Sequence, residues 1–174
     1  MHPTSFFRFC PSCGAAREPL KTPPIACGAC GFTLYLSNAC ATAAFLVRPD
    51  GKALFIRRAQ EPAKDRLAIP GGFIDDGETA EEGLRREFRE EVGINPGGLE
   101  FLCSHPNVYH YKGVTYSVLD FFFIARATGE ETPEALDAVA EFIWLDPREV
   151  DPAEMAFPSM VYALERYLAI TPPP

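Results

Sequence analysis

The sequence predicts an α/β fold, an α/β/α sandwich around a mixed β-sheet, preceded by a small cysteine-built N-terminal module. Three observations carry this. After residue 40, apolar strand-like runs and amphipathic segments intermix without the regular alternation of a parallel βαβ array. Five of the six cysteines fall in the first forty residues. Residues 72–94, GFIDDGETAEEGLRREFREEVGI, crowd eight carboxylates between positions 75 and 91, framed by helix-start and helix-stop chemistry.

The elements follow in order. Residues 41–47 and 52–58 are apolar runs flanking Arg48, Pro49, Asp50 and Gly51, a turn sequence, and predict a hairpin. Residues 60–66 are a polar loop, and 67–69 a short strand running into Pro70-Gly71-Gly72. Asp76-Gly77 is a turn, since Gly accepts positive φ. Thr79 with Glu82 forms a capping box: the hydroxyl satisfies an orphan backbone N–H and the Glu reaches back. Gly93 ends the helix, and Ala80, Leu84 and Phe88 mark its buried stripe. Strands follow at 99–104, 117–127 (apolar, at the centre of the sheet) and 141–145, with an acidic loop at 128–137. A terminal helix spans 158–170, before three prolines.

A chain of 174 residues suits one medium domain with a small appendage. Sixteen basic against twenty-four acidic residues leave a net charge of −8. That balance disfavours extended non-specific nucleic-acid binding. No run approaches the length of a membrane span, and the N-terminal stretch lacks signal-peptide character, so the cytoplasm is expected.

Cys10, Cys13, Cys27 and Cys30 form C-x2-C-x13-C-x2-C, close to zinc-ribbon spacing. Gly14 and Gly31 follow each pair and can take positive φ, which lets backbone N–H groups approach the thiolates. Four sulfurs close a tetrahedron around Zn²⁺ and leave no open position, so that metal is structural. The alternative, two disulfides, needs an oxidising compartment. Cys40 and Cys103 read as free thiols in apolar surroundings. The expected division is a zinc ribbon over 1–38 and a larger domain over 39–174.

At 100° per residue, Glu87, Glu90 and Glu91 fall within about 100° of arc beside the apolar stripe. Like charges at i,i+4 repel, so a helix kept only for stability would avoid this arrangement. A compact fan of hard oxygens suits Mg²⁺ or Mn²⁺. An isolated Glu-rich helix would more simply be a solvated acidic face. The complete pattern decides: Gly72, Glu78, Arg86, Glu87, Phe88, Glu90, Glu91, Gly93 and Ile94 fill every fixed position of G-x5-E-x7-R-E-U-x-E-E-x-G-U, with U apolar. This resembles the Nudix hydrolase signature, and the resemblance extends over residues 41–168.

That resemblance implies a Nudix α/β/α sandwich and hydrolysis of a nucleoside diphosphate linked to another group, with water attacking phosphorus. It implies Glu87, Glu90 and Glu91 as ligands of Mg²⁺ or Mn²⁺, with the Gly71 carbonyl completing the set. Arg86 lies one turn from Glu90, can also reach Glu82, and is expected to orient a ligand carboxylate. Glu78 either favours the helix dipole or, as the resemblance implies, supports the metal shell or pairs with Arg86. A further acid is available among Glu131, Glu134, Asp137 and Glu141. Tyr109 and Tyr111, with Tyr116 and Asn107, could stack on a base or flavin ring, or simply pack; Arg57 is a further candidate substrate contact. His105 and His110 are expected to face solvent, and Trp144 to be core.

A zinc ribbon before this box is similar to bacterial NADH pyrophosphatases. Their downstream signature, S-Q-P-W-P-F-P-x-S, is matched here only at Ser104 and Pro106, and Asn107, Val108 and Tyr109 depart from it. The chain therefore resembles a ribbon-bearing bacterial group related to those enzymes. NADH, ADP-ribose and FAD all stay open as substrates; dimers are usual in the family it resembles, and the sequence leaves a homodimer open. Two other functions are weighed: a nucleotide-sensing regulator, disfavoured by the intact box, and an RNA-directed pyrophosphohydrolase using the ribbon as a grip. The ribbon's basic residues are only Arg8, Arg17 and Lys21.

Overall fold

A computed structural model of the chain describes residues 1–18 and 24–171. Lys21 and the closing prolines fall outside them. After a 3₁₀ turn at Pro3–Phe6, strands β1 (Ile25–Ala26) and β2 (Thr33–Leu34) pair antiparallel beside the cysteines. The main sheet contains β3 (Ala39–Val47), β4 (Ala53–Arg58), β5 (Leu67–Ala68), β6 (Gly71–Phe73), β7 (Glu100–Tyr111), β8 (Val114–Arg126) and β9 (Val139–Leu145). Two helices complete the fold, α1 (Ala80–Val92) and α2 (Pro158–Ile170). No described helix is long and apolar enough to cross a membrane.

The centre of the sheet is β3, rather than the expected 117–127 strand. It pairs in parallel with β8 along its whole length, from Ala39 opposite Val118 to Val47 opposite Arg126. The expected 41–58 hairpin closes at its turn, but the strands share only the pair Val47–Ala53 and then part. From there β4 runs antiparallel to β9, and β6 takes the vacated edge of β3 at residues 41–43. Only glycine suits that edge: a Cβ on Gly71 would stand 2.1 Å from the Thr42 carbonyl oxygen, at φ +144°. Gly71-Gly72 is thereby wedged against the centre of the sheet.

The segment between the predicted 99–104 and 117–127 strands is strand too. β7 and β8 form one long hairpin, turning at Lys112-Gly113 with φ +46° and +80°. Two positive φ values match the twist of antiparallel strands. The alternation of Asn107, Tyr109 and Tyr111 was the signal for this continuation.

α1 keeps its predicted ends. Thr79 and Glu82 make the full capping box, and Gly93 closes the helix in the left-handed region. Leu84, Phe88 and Val92 are fully buried. Gly72 and Thr42 are paired and face α1, whereas Phe45, three residues along β3 from Thr42, stacks on Tyr167 of α2 at 4.8 Å. Successive side chains alternate across a strand, so the two helices cover opposite faces of the sheet. Trp144 is half-buried rather than core, capped by the Arg48 guanidinium at 4.9 Å. Phe88→Ala should lower unfolding free energy by about 3–5 kcal/mol, read from a denaturant midpoint. A loss under about 1 kcal/mol would mean that α1 is not seated on this core.

Candidate active site

One guanidinium organises the acidic helix. Arg86, with its side chain 20% exposed, donates from Nε and Nη2 to Glu78, both at 2.9 Å. Nη1 donates to Glu87 at 2.7 Å and to Glu90 at 3.2 Å, and Nη2 to the Phe73 carbonyl at 2.7 Å. Asp75 stands 3.7 Å away. The expected reach to Glu82 is absent, because that carboxylate is used by the Thr79 N–H of the capping box. Glu78 takes the Arg86 alternative, and that bond holds its carboxyl below the usual range.

The three box glutamates are graded in depth. Glu91 is 8% exposed and accepts the Gly71 N–H at 2.8 Å. Burial pushes its carboxyl up to about 8. Glu87 is half-buried, its carboxylate lying over Gly72 so closely that a Cβ there would meet it at 2.5 Å. Burial raises it too, against the pull of Arg86. Glu90 is 51% exposed. These oxygens fan widely: among the described residues, only the four cysteines bring three or more ligand atoms all within 4.8 Å. The donor chemistry still fits a divalent cation. The oxygens are hard, and a buried carboxylate with a single N–H partner gains from an added positive charge.

Glu87 and Glu91 open on a cavity of about 290 Å³ that reaches both faces of the sheet. Gly71, Gly72 and Asp75 line it beside these glutamates, and Arg58 lies between them and Phe157. The far end is apolar and aromatic, with Phe73, Tyr109, Phe157 and Met160. Tyr109 meets Phe73 edge-on at 5.3 Å and Phe157 at 5.9 Å. Asp120 and Asn107 stand in this half, hydrogen-bonded together at 2.9 Å.

Two expected contacts lie elsewhere. Arg57 does not line this cavity; it pairs with Glu141 at 2.7 Å, and Arg58 takes the place by the cavity, its guanidinium 5.2 Å from the Phe157 ring. Tyr111 is exposed, beside Lys112 and outside the cavity lining. Of the acids considered beyond the box, Glu131 staples its own turn through Thr128 and Gly129. Backbone N–H groups of Glu134, Leu136 and Asp137 cap the last carbonyls of α1. His105 packs on Tyr162 at 4.4 Å, and His110 bonds Thr115. Arg58, Phe73, Phe157 and Asp120 escaped the sequence reading. Asp120 alone had a visible signal, as the one acid in the apolar run SVLDFFFIA.

The cysteines converge. Cys10 and Cys30 sulfurs lie 3.8 Å apart, as do those of Cys13 and Cys27. A disulfide needs about 2.05 Å. A tetrahedron with metal–sulfur bonds of about 2.3 Å has edges near 3.8 Å, so the cluster is compatible with zinc. The Cys30 and Ala29 N–H groups lower the Cys27 thiol to about 6, and the Cys13 N–H lowers Cys10. Gly14 and Gly31 adopt the expected positive φ, +74° and +75°. Cys40 is half-buried and Cys103 buried, both free.

Comparison with known proteins bears on this arrangement. An ADP-ribose pyrophosphatase of Methanocaldococcus jannaschii is 43% identical over 65 residues, covering 37% of this chain and 38% of that protein. NAD-capped RNA hydrolase NudC of Vibrio parahaemolyticus is 28% identical over 155 residues, covering 87% of this chain and 55% of that one. The chain thus spans from under two fifths to just over half of these relatives. The crystal structure of a NUDIX hydrolase from Nitrosomonas europaea superposes with a TM-score of 0.69 at 22% identity, over 93% of this chain and 90% of that one, and shares the fold. The family model of the NUDIX domain matches residues 38–167, which include the sheet, both helices' packing faces and every box position, and the chain belongs to that family.

Proposed function

We propose that this chain is a Mg²⁺- or Mn²⁺-dependent pyrophosphohydrolase acting on a nucleoside diphosphate linked to a second group. The observation that carries this is the cavity's polarity: Glu87 and Glu91 beside Gly71-Gly72 at one end, aromatic rings at the other. A diphosphate flanked by a ring matches both ends. Glu87, Glu90 and Glu91 would hold the cation, with the Gly71 carbonyl. Once bound, the cation neutralises phosphate oxygens and lowers the pKa of coordinated water. Arg86 keeps Glu87 and Glu90 within reach of the site, itself fixed by Glu78 and the Phe73 carbonyl. Arg58 supplies positive charge beside the cavity, and Tyr109 with Phe157 bounds the ring.

The relatives' names, an ADP-ribose pyrophosphatase and an NAD-capped RNA hydrolase, support a substrate of the ADP-ribose or NAD type. The second name favours one further reading, in which the dinucleotide is the cap of an RNA. The ribbon, residues 1–38, is a Zn²⁺-built module in this proposal.

A panel of nucleotide diphosphates with Mg²⁺ or Mn²⁺, products separated by chromatography, tests the reading; no cleavage of any of them would overturn it. Glu87→Gln should cut turnover by roughly a thousandfold with folding unchanged, and near-normal turnover would remove the proposed role. Gly72→Ala pushes a methyl group into the Glu87 carboxylate without touching the core. Cation affinity by calorimetry should weaken by about ten- to a hundredfold, and an unchanged affinity would place the ion elsewhere. Chelation of zinc should speed hydrogen exchange across residues 1–38 while the sheet keeps its protection. Unaltered exchange there would mean that the ribbon holds no metal.

A further inference from the structure

The aromatic half of the cavity contains a charged group that hydrolysis of a diphosphate does not use. Asp120 is 7% exposed and sits on β8 within the cavity wall. Two donors converge on one of its oxygens: Ser159 Oγ at 2.5 Å and Asn107 Nδ2 at 2.9 Å both reach Oδ2. The Asn107 amide cannot turn without loss, because its own oxygen accepts the Val108 N–H at 2.8 Å. The other carboxylate oxygen, Oδ1, receives no hydrogen bond among the described residues. It is also not sealed in the protein: among the described residues, the fully enclosed side-chain polar atom without a partner is Thr42 Oγ1. His105, opposite Asp120 on β7, engages the Pro106 carbonyl and Tyr162 instead.

A buried carboxylate normally has its acceptor sites filled. Here half of that capacity is left open toward a space bounded by flat and apolar side chains, Tyr109, Phe157, Met160 and Phe122 among them. Such a slot takes a planar ring, and a fixed acceptor at its rim selects what the ring carries on its edge.

We propose that Asp120 Oδ1 accepts a hydrogen bond from an amino group on the substrate's ring, either the exocyclic amine of adenine or the carboxamide of nicotinamide. Asp120 is then the residue that separates amino-bearing from oxo-bearing rings. The proposal rests on the diphosphate reading above and adds the identity of the ring.

The test compares kcat/KM within two substrate pairs: ADP-ribose against its inosine counterpart, and NADH against its nicotinic-acid counterpart. The wild-type protein should favour the amino-bearing member of one pair by about ten- to a hundredfold, and that pair names the ring. In Asp120→Asn, Ser159 and Asn107 keep the amide oxygen on their side and turn its NH₂ toward the cavity. The preference should fall to near unity or invert, through KM more than kcat. Ser159→Ala, which removes a structural bond but leaves Oδ1 in place, should retain the preference. Equal rates within both wild-type pairs overturn the proposal, as does an oxo-bearing preference. So does an Asp120→Asn variant that slows both members by one common factor, the signature of a purely structural network. If that variant does not fold, the wild-type ratios decide. If no pair is hydrolysed, the diphosphate reading fails, and calorimetric binding of the same pairs still reads the ring preference.

Discussion

Residues 75–91 hold eight carboxylates and only three arginines, and two of those carboxylates, Glu87 and Glu91, face each other one turn apart. Such a helix resists its own packing unless the charge is managed locally. Arg86 manages it. A single guanidinium touches Glu78, Glu87, Glu90 and the Phe73 carbonyl, so it offsets charge where three carboxylates converge and ties α1 to β6 at once. On the proposed reading, a cation among the glutamates would compete with Arg86 for Glu87 and Glu90. The bonds to Glu78 and Phe73 are outside that competition and would hold the guanidinium in place.

The same economy appears in the sheet. Because β3 and β4 part after Val47–Ala53, β6 can enter, and its glycines bring backbone against Glu87 and Glu91. The opening also lets the cavity reach the acidic side chains of α1 on one face and Asp120, Phe157 and Met160 on the other. A continuous hairpin would have closed the sheet and separated the charged end of the cavity from the aromatic end.

Local chemistry was legible in the sequence and long-range partnership was not. The ends of α1 follow from Thr79, Glu82 and Gly93, all within reach of the same helix, and α2 matched residue for residue. The parting of β3 and β4 could not be read, because apolar alternation states which face a residue takes but not which strand lies beside it. Arg57 and Arg58 show how small the margin is. Adjacent residues on a strand face opposite sides, so a one-residue displacement exchanges a Glu141 partner for the cavity. Asp120 depends on Asn107, thirteen residues away, and Ser159, thirty-nine away, and no spacing rule joins them.

The two ligand clusters also differ in how far the chain assembles them unaided. The cysteine sulfurs already lie within 4.8 Å of one another, on two turns whose N–H groups lower the Cys10 and Cys27 thiols, while against the Ala15 N–H the neighbouring Cys30 and Cys10 sulfurs push Cys13 up to about 12. Soft sulfur donors select against magnesium, and hard carboxylates against the metals that sulfur prefers. The glutamates cannot gather in the same way, because they repel one another and two of them rest on Arg86. On the proposed reading, their assembly would draw on positive charge from outside, with phosphate oxygens sharing its coordination. A closed sulfur cluster thus suits a permanent structural ion, whereas an open carboxylate fan suits an ion that, on the proposed reading, would arrive with a diphosphate.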